Sequence, residues 1–156
     1  MRDKIDEGLA DFNESLRLDP KNVEALEYRG LLFEELGKYD KALADHRRAM
    51  EIAPNDPHQI AVLAMMQAAC PDAKYRNGNQ AVSSATKACQ LSQWQSAEAV
   101  SALAAAYAET GNFVKAVEFS QRAIGLSVDP DKKELEEQLA LYQAKKPYRR
   151  ESEKKP

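Results

Sequence analysis

The segment Leu18-Asp19-Pro20-Lys21-Asn22 returns in altered form as Ile52-Ala53-Pro54-Asn55-Asp56, with the two prolines 34 residues apart. Between the prolines lie a helix-forming run, a turn at Gly37-Lys38 and a second helix-forming run that ends at Ile52. A fixed period of this size constrains the fold more than any other feature. Each unit is one supersecondary element, and it buries its apolar face only by stacking on its neighbours. The skeleton returns again: Gly37, Tyr39, Ala42, Ala49 and Ile52 map onto Gly111, Phe113, Ala116, Ala123 and Leu126, each shifted by 74. A middle copy supplies Ala81, Ala88 and Leu91, 39 residues after the first set and 35 before the last. Its extra residues, about five if the 34-residue period is kept, fall in 71–79.

The residue types explain the pattern. Ala, Leu, Glu, Lys and Gln dominate, all good helix formers, and no strand-length run alternates. Helices are expected at about 3–18, 22–36, 39–53, 57–70, 79–92, 96–110, 113–127 and 130–145. Gly37 and Gly111 suit the left-handed residue that ends a helix. Asp56 is a good cap with Pro57 at the first helical position, Ser96 caps a later helix, and Asp129-Pro130 starts the last one. Gly30 sits mid-helix, where glycine costs ~1 kcal/mol, so a neighbouring helix must approach closely there. Ala42/Ala49 and Ala116/Ala123, seven apart, share a helix face and are small for the same reason.

These residues resemble the tetratricopeptide repeat (TPR) family over roughly residues 5–128. In 23–56 the match includes Leu26, Gly30, Phe33, Gly37, Tyr39, Ala42, Ala49 and Pro54. Arg29 departs from a usual leucine and His46 from a usual aromatic. The resemblance implies an all-α fold, an antiparallel helix-hairpin solenoid. Its parts would be a half repeat at 3–22, repeats at 23–56, 57–94 (with the elongated turn) and 96–129, and a capping helix at 130–146. Residues 147–156 are expected to be a disordered tail. A narrower resemblance rests on Ala69-Cys70-Pro71-Asp72, Arg76-Asn77-Gly78, Cys89-Gln90-Leu91, Trp94 and Leu103–Glu109. It looks like a bacterial TPR subfamily found at the C-terminal end of large multidomain proteins, some with serine/threonine kinase domains. The ending Leu141-Tyr142…Lys146-Pro147-Tyr148-Arg149 resembles that subfamily's natural C-terminus, which implies a fragment cut at its left end.

Charge and side-chain chemistry narrow the function. The net charge is −3, with 14 acidic and 9 basic side chains in residues 1–56 and 5 of each in 57–129. No basic stripe of a nucleic-acid binder is present, and no apolar stretch is long enough to span a membrane. Two cysteines, Cys70 and Cys89, are too few for a disulfide scaffold or a four-ligand zinc site. Hairpin geometry separates them beyond the ~7 Å limit for a bridge, so both are expected as buried free thiols in a reducing, cytoplasmic setting. Neither His46 nor His58 has metal-ligand spacing, and no nucleophile–base pair or phosphate-cradling loop stands out. The chain reads as non-enzymatic, with no cofactor and no metal. Residues 71–79 could be a ligand loop; the plainer reading has Asp72 and Arg76 closing a long turn by hydrogen bonds. Trp94 is expected to wedge one hairpin against the next.

The TPR resemblance implies a concave groove lined by the first helix of each repeat. By register its positions are Glu24, Glu27, Leu31, Glu34 and Glu35, then His58, Ala61, Met65, Ala68 and Ala69, then Glu98, Ser101, Ala105, Ala108 and Glu109. TPR domains that clamp chaperone C-termini use Lys, Asn and Arg, which are missing from these positions. A protein or peptide ligand with basic residues at one end and small apolar ones in the middle is expected, with the plainer reading that the glutamates are a solvated helix face. A second expectation is structural. Ile5, Leu9, Phe12 and Leu16 form an apolar stripe on a helix whose repeat partner is missing, so two chains could pair there as a homodimer. A third is a regulatory tail on a tethered enzyme, which rests on the subfamily resemblance alone.

Overall fold

The computed structural model describes residues 2–128 and 132–150, with side chains from Lys4 onward. Eight α-helices account for the regular structure among these residues: α1 (Arg2–Leu18), α2 (Val23–Glu35), α3 (Tyr39–Ile52), α4 (Pro57–Ala69), α5 (Gly78–Leu91), α6 (Ala97–Glu109), α7 (Phe113–Leu126) and α8 (Lys132–Gln143). A single 3-10 turn, Ala73–Tyr75, lies within the long connection after α4. Each helix falls within two residues of its expected bounds. The fold class is the expected all-α, helix-hairpin repeat. The start assigned to Asp129-Pro130 lies outside the described residues.

The chain forms two compact units, Met1–Pro54 and Asn55–Arg150. In the first, α2 packs against both α1 and α3. Asn22 caps α2 by accepting from the Ala25 N–H at 3.0 Å, and its amide donates to Ser15 Oγ at 3.1 Å, tying the turn to α1. The α2–α3 turn closes as a Schellman motif, with Lys38 N–H donating to Phe33 O at 2.7 Å and Gly37 N–H to Glu34 O at 2.9 Å. This geometry puts Gly37 at φ +67°, where a side chain is unfavourable.

Arg29 on α2 and His46 on α3 each find a partner across the α2–α3 hairpin. Arg29 forms a two-pronged pair with Asp45, Nε to Oδ2 at 2.8 Å and Nη2 to Oδ1 at 2.7 Å, and reaches Asn13 on α1 at 2.8 Å. Donating to the Asp45 carboxylate raises the pKa of the Arg29 guanidinium. His46 is buried, and its Nε2 lies 2.8 Å from Glu34 Oε1. Gly30 faces that ring: a Cβ added there would stand 2.5 Å from His46 Cε1. The close approach expected of Gly30 is therefore to a histidine.

The second unit pairs α4 with α5 and α6 with α7, sets α6 against both α4 and α5, and packs α8 on α7. Asp56 caps α4 through the His58 N–H at 2.9 Å, with Pro57 in its first turn, and Ser96 caps α6 through the Ala99 N–H at 3.1 Å. The α6–α7 turn repeats the Schellman closure at Gly111, φ +80°. Trp94 stacks on Phe119 with centroids 6.0 Å apart, and Phe119 stacks on Tyr107 at 5.6 Å. Arg122 covers the Trp94 ring at 4.8 Å. Cys70 and Cys89 are both buried and outside any disulfide, and burial pushes the Cys89 thiol up to about 11.

α4 and α6 differ from an ordinary surface helix. Eleven of the thirteen residues of α4 are buried, and nine of the thirteen in α6. A helix enclosed on every side has neighbours on every side. In this unit, α5 packs on α4 and α7 on α6; α8 reaches α6 through Gln138 and Tyr142, and the segment after it reaches α4 through Arg149 and Arg150.

Candidate peptide-docking site

The site begins with α4's last carbonyls, which have no partner within the helix. Gln67 O accepts from the Asn77 N–H at 2.8 Å, and Ala69 O from the Arg150 N–H at 3.0 Å. Ala68 O accepts from Arg149 Nη1 at 3.3 Å. Cys70 O and Pro71 O both accept from Arg76 Nη1, at 2.7 and 3.0 Å. Cationic donors suit this end of a helix, where the macrodipole is negative. The elongated turn thus closes by hydrogen bonds from Arg76, and Asp72 caps the 3-10 turn through the Lys74 N–H at 3.0 Å.

The turn also positions Glu109, at the end of α6. Arg76 Nε donates to Glu109 Oε1 at 2.9 Å, and Arg149 Nη2 donates to Glu109 Oε2 at 2.5 Å. One carboxylate, with 17% of its side chain exposed, is held between two guanidinium groups. Gly78 leaves room for it: a Cβ there would meet Glu109 Cγ at 3.1 Å and Thr110 Cγ2 at 2.9 Å. Asn77 caps α5 through the Gln80 N–H at 3.1 Å. Each residue of Arg76-Asn77-Gly78 therefore has its own geometric task.

Residues 147–150 run without helical structure along this face. The chain enters the run through a Schellman closure of α8, with Lys146 N–H donating to Leu141 O at 2.9 Å. Lys145 occupies the left-handed region there, at φ +55°, a strained conformation for a lysine. Tyr148 packs against the cluster of Ala104, Ala108 and Tyr142, and its hydroxyl donates to Glu134 Oε1 at 3.0 Å. Gln138 bridges Glu134, at 3.3 Å, to Ser101 Oγ, at 3.2 Å. Burial in this cluster raises the pKa of the Tyr142 hydroxyl well above its usual range. Beside the run lies a cavity of about 390 Å³, lined by Met65, Glu98, Ser101, Glu134, Gln138 and Arg150 among others.

The expected groove positions divide accordingly. Glu24, His58 and Glu98 are exposed, while Glu27, Leu31 and Glu35 are half-buried. His58 Nδ1 lies 2.6 Å from Glu98 Oε2. Glu34 departs from the expected groove face: it is buried against His46, inside the α2–α3 hairpin. Ala61, Met65, Ala68, Ala69, Ser101, Ala105 and Ala108 are buried as well. Gln138 reaches Ser101, Arg149 and Arg150 bind at the Ala68 and Ala69 carbonyls, and Tyr142 covers Ala108. Residues 147–150, expected to be part of a disordered tail, lie against this face, where Arg149 and Arg150 donate to α4's last carbonyls; residues 151–156 lie outside the described residues. In the first unit, the α1 stripe is more covered than expected. Ile5 is buried, Leu9, Phe12 and Leu16 are half-buried, and Phe12 stacks on Tyr28 of α2 with centroids 5.8 Å apart.

The docking of Tyr148, Arg149 and Arg150 on this face escaped the sequence reading, which noted Tyr148 and Arg149 only for a resemblance. The signal for them was the all-round apolar character of α4 and α6 followed by a basic segment at the chain's end. Among the described residues, no three His, Cys, Asp or Glu side chains are grouped to hold a metal ion, and no helix is long and apolar enough to cross a membrane.

Comparison with known proteins agrees with this geometry. Three solved structures share the fold. Two of MamA superpose with TM-scores of 0.66 and 0.62 at 18% identity, each over 92% of this chain and over 79% and 81% of theirs. A MamA RS-1 double mutant superposes with a TM-score of 0.61 at 20% identity, over 90% of this chain and 74% of its own. Residues 2–57 match the tetratricopeptide repeat family model, and the chain shares its helical-repeat fold with MamA.

Proposed function

We propose that the chain is a non-catalytic protein-binding module whose α4–α6 face takes an extended peptide segment. The observation that carries this reading is the docked run 147–150. A face that orders four residues of non-helical chain through one backbone N–H, one guanidinium and one aromatic ring has the chemistry to order others. The positions His58, Ala61, Met65, Ala68, Glu98, Ser101, Ala105 and Ala108 belong to that face. Glu24, Glu27, Leu31 and Glu35 offer a separate acidic surface on α2. Both favour ligands with basic residues.

An array of peptides of varied charge, probed with the full chain, tests the reading. Basic peptides carrying small apolar residues should be retained above acidic ones. Preferential retention of acidic C-termini would overturn it.

Homodimerisation through α1 is a lesser proposal, supported by the partial exposure of Leu9, Phe12 and Leu16. Light scattering should then detect dimers that Leu9→Asp dissociates; a monomer at high concentration sinks the idea. The cytoplasmic setting, the likeness to the bacterial subfamily, and a place beside a tethered enzyme are proposals too. They draw support from the buried thiols and from the Arg76-Asn77-Gly78 turn.

A further inference from the structure

We infer that the α4–α6 face is an arginine-reading site, that residues 147–150 occupy it at rest, and that its external partner is an extended segment with the same Tyr-Arg-Arg chemistry. This rests on the peptide-binding reading above and names the class of peptide.

Four features select arginine. The Glu109 carboxylate is fixed before any ligand arrives, because Arg76 holds its Oε1 and leaves Oε2 for a second donor. The Ala68 carbonyl lies on the same side, so one guanidinium bonds both groups through separate nitrogens. A planar fork with several fixed donors suits this arrangement, and a lysine ammonium, a single point of charge, does not. The negative end of α4 adds attraction for a cation. The preceding tyrosine and the following amide supply register: Tyr148 packs against the cluster that contains Ala104, Ala108 and Tyr142, and the Arg150 N–H completes the Ala69 carbonyl.

The resting occupant is also strained at its entry. Its entry turn, residues 144–146 between α8 and the run, holds Lys145 in a left-handed conformation. A partner peptide carries no such strain. It can also extend into the neighbouring cavity, where the Glu98 and Glu134 carboxylates lie.

The test is fluorescence polarisation with a labelled peptide of sequence Ala-Lys-Lys-Pro-Tyr-Arg-Arg, corresponding to residues 144–150. It is titrated with the full native chain and with a full chain carrying Tyr148→Ala and Arg149→Ala. The doubly substituted chain should bind the peptide roughly tenfold more tightly than the native chain, because its own run no longer competes. Changing the first arginine of the peptide to lysine should weaken binding by about tenfold. Adding Glu109→Gln to the substituted chain should abolish the preference for arginine. Helical circular dichroism identifies any variant that has failed to fold; Arg149→Lys is then the milder replacement, with the same expectations.

Equal binding to native and substituted chains would overturn the resting occupancy. Equal affinity for the arginine and lysine peptides would overturn arginine reading. Tight binding of array peptides without arginine, with none of this one, would sink the inference and leave the peptide-binding reading standing. If the folded, substituted chain retains no array peptide at all, that earlier reading fails.

Discussion

Gly30→Ala should destabilise the first unit by about 2–3 kcal/mol, at the upper end of what overpacking costs. The added methyl would stand 2.5 Å from Cε1 and 2.9 Å from Nδ1 of the His46 ring. That ring cannot easily move, because it is buried and its Nε2 is bonded to Glu34. Helix propensity works the other way and favours alanine by ~1 kcal/mol, so a net loss would show packing overriding propensity. Urea denaturation followed by helical circular dichroism measures the effect. Combining Gly30→Ala with His46→Ala should cost less than the sum of the two single changes, because the second removes the obstacle to the first. A single variant as stable as the native chain would refute the close approach.

Arg76→Ala should cost about 2 kcal/mol in the second unit, in line with the loss of charge-assisted hydrogen bonds. The change strips Cys70 O and Pro71 O of a donor and removes one of the two guanidinium groups on Glu109. Arg76→Lys should recover only part of the loss, since an ammonium does not reproduce the spread of donors. The same denaturation experiment decides it. Full stability of Arg76→Ala would mean that the elongated turn carries no structural weight. Full stability of Arg76→Lys would mean that charge alone matters.

The helices were legible because their punctuation is local. Asp56, Ser96, Gly37 and Gly111 act within a few residues of themselves, through caps and left-handed turns that one sequence window contains. The small residues were legible for a related reason, since the repeat period fixes which helix faces meet. The occupied site was not, because its partners are far apart along the chain. Arg149 meets Glu109 forty positions away; register gave Glu109 a groove position, but Arg149 lies outside the repeats and has no periodic signature. Register correctly placed Ala68, Ser101 and Ala108 on the first helices but was silent on what lies over them. Glu34 shows the other failure. A glutamate in a run of glutamates reads as solvated, and only the buried imidazole opposite explains why it turns inward.

The bond from Arg149 to the Ala68 carbonyl spans 81 positions of sequence, whereas the hairpins α4–α5 and α6–α7 join neighbours. Contacts between neighbours close small loops and form early; a contact across most of a unit forms late. During synthesis the order is stricter still. Glu109 leaves the ribosome forty residues before Arg149, an interval of roughly 2–8 s at about 5–20 residues per second. In the later part of that interval, once α7 has emerged, a nascent chain has its hairpins but not Arg149 and Arg150. A partner bearing arginine, met in those seconds, competes with nothing, and one that dissociates slowly would stay bound after the chain is complete. Occupancy of the face can therefore depend on when a partner is encountered as well as on how tightly it binds.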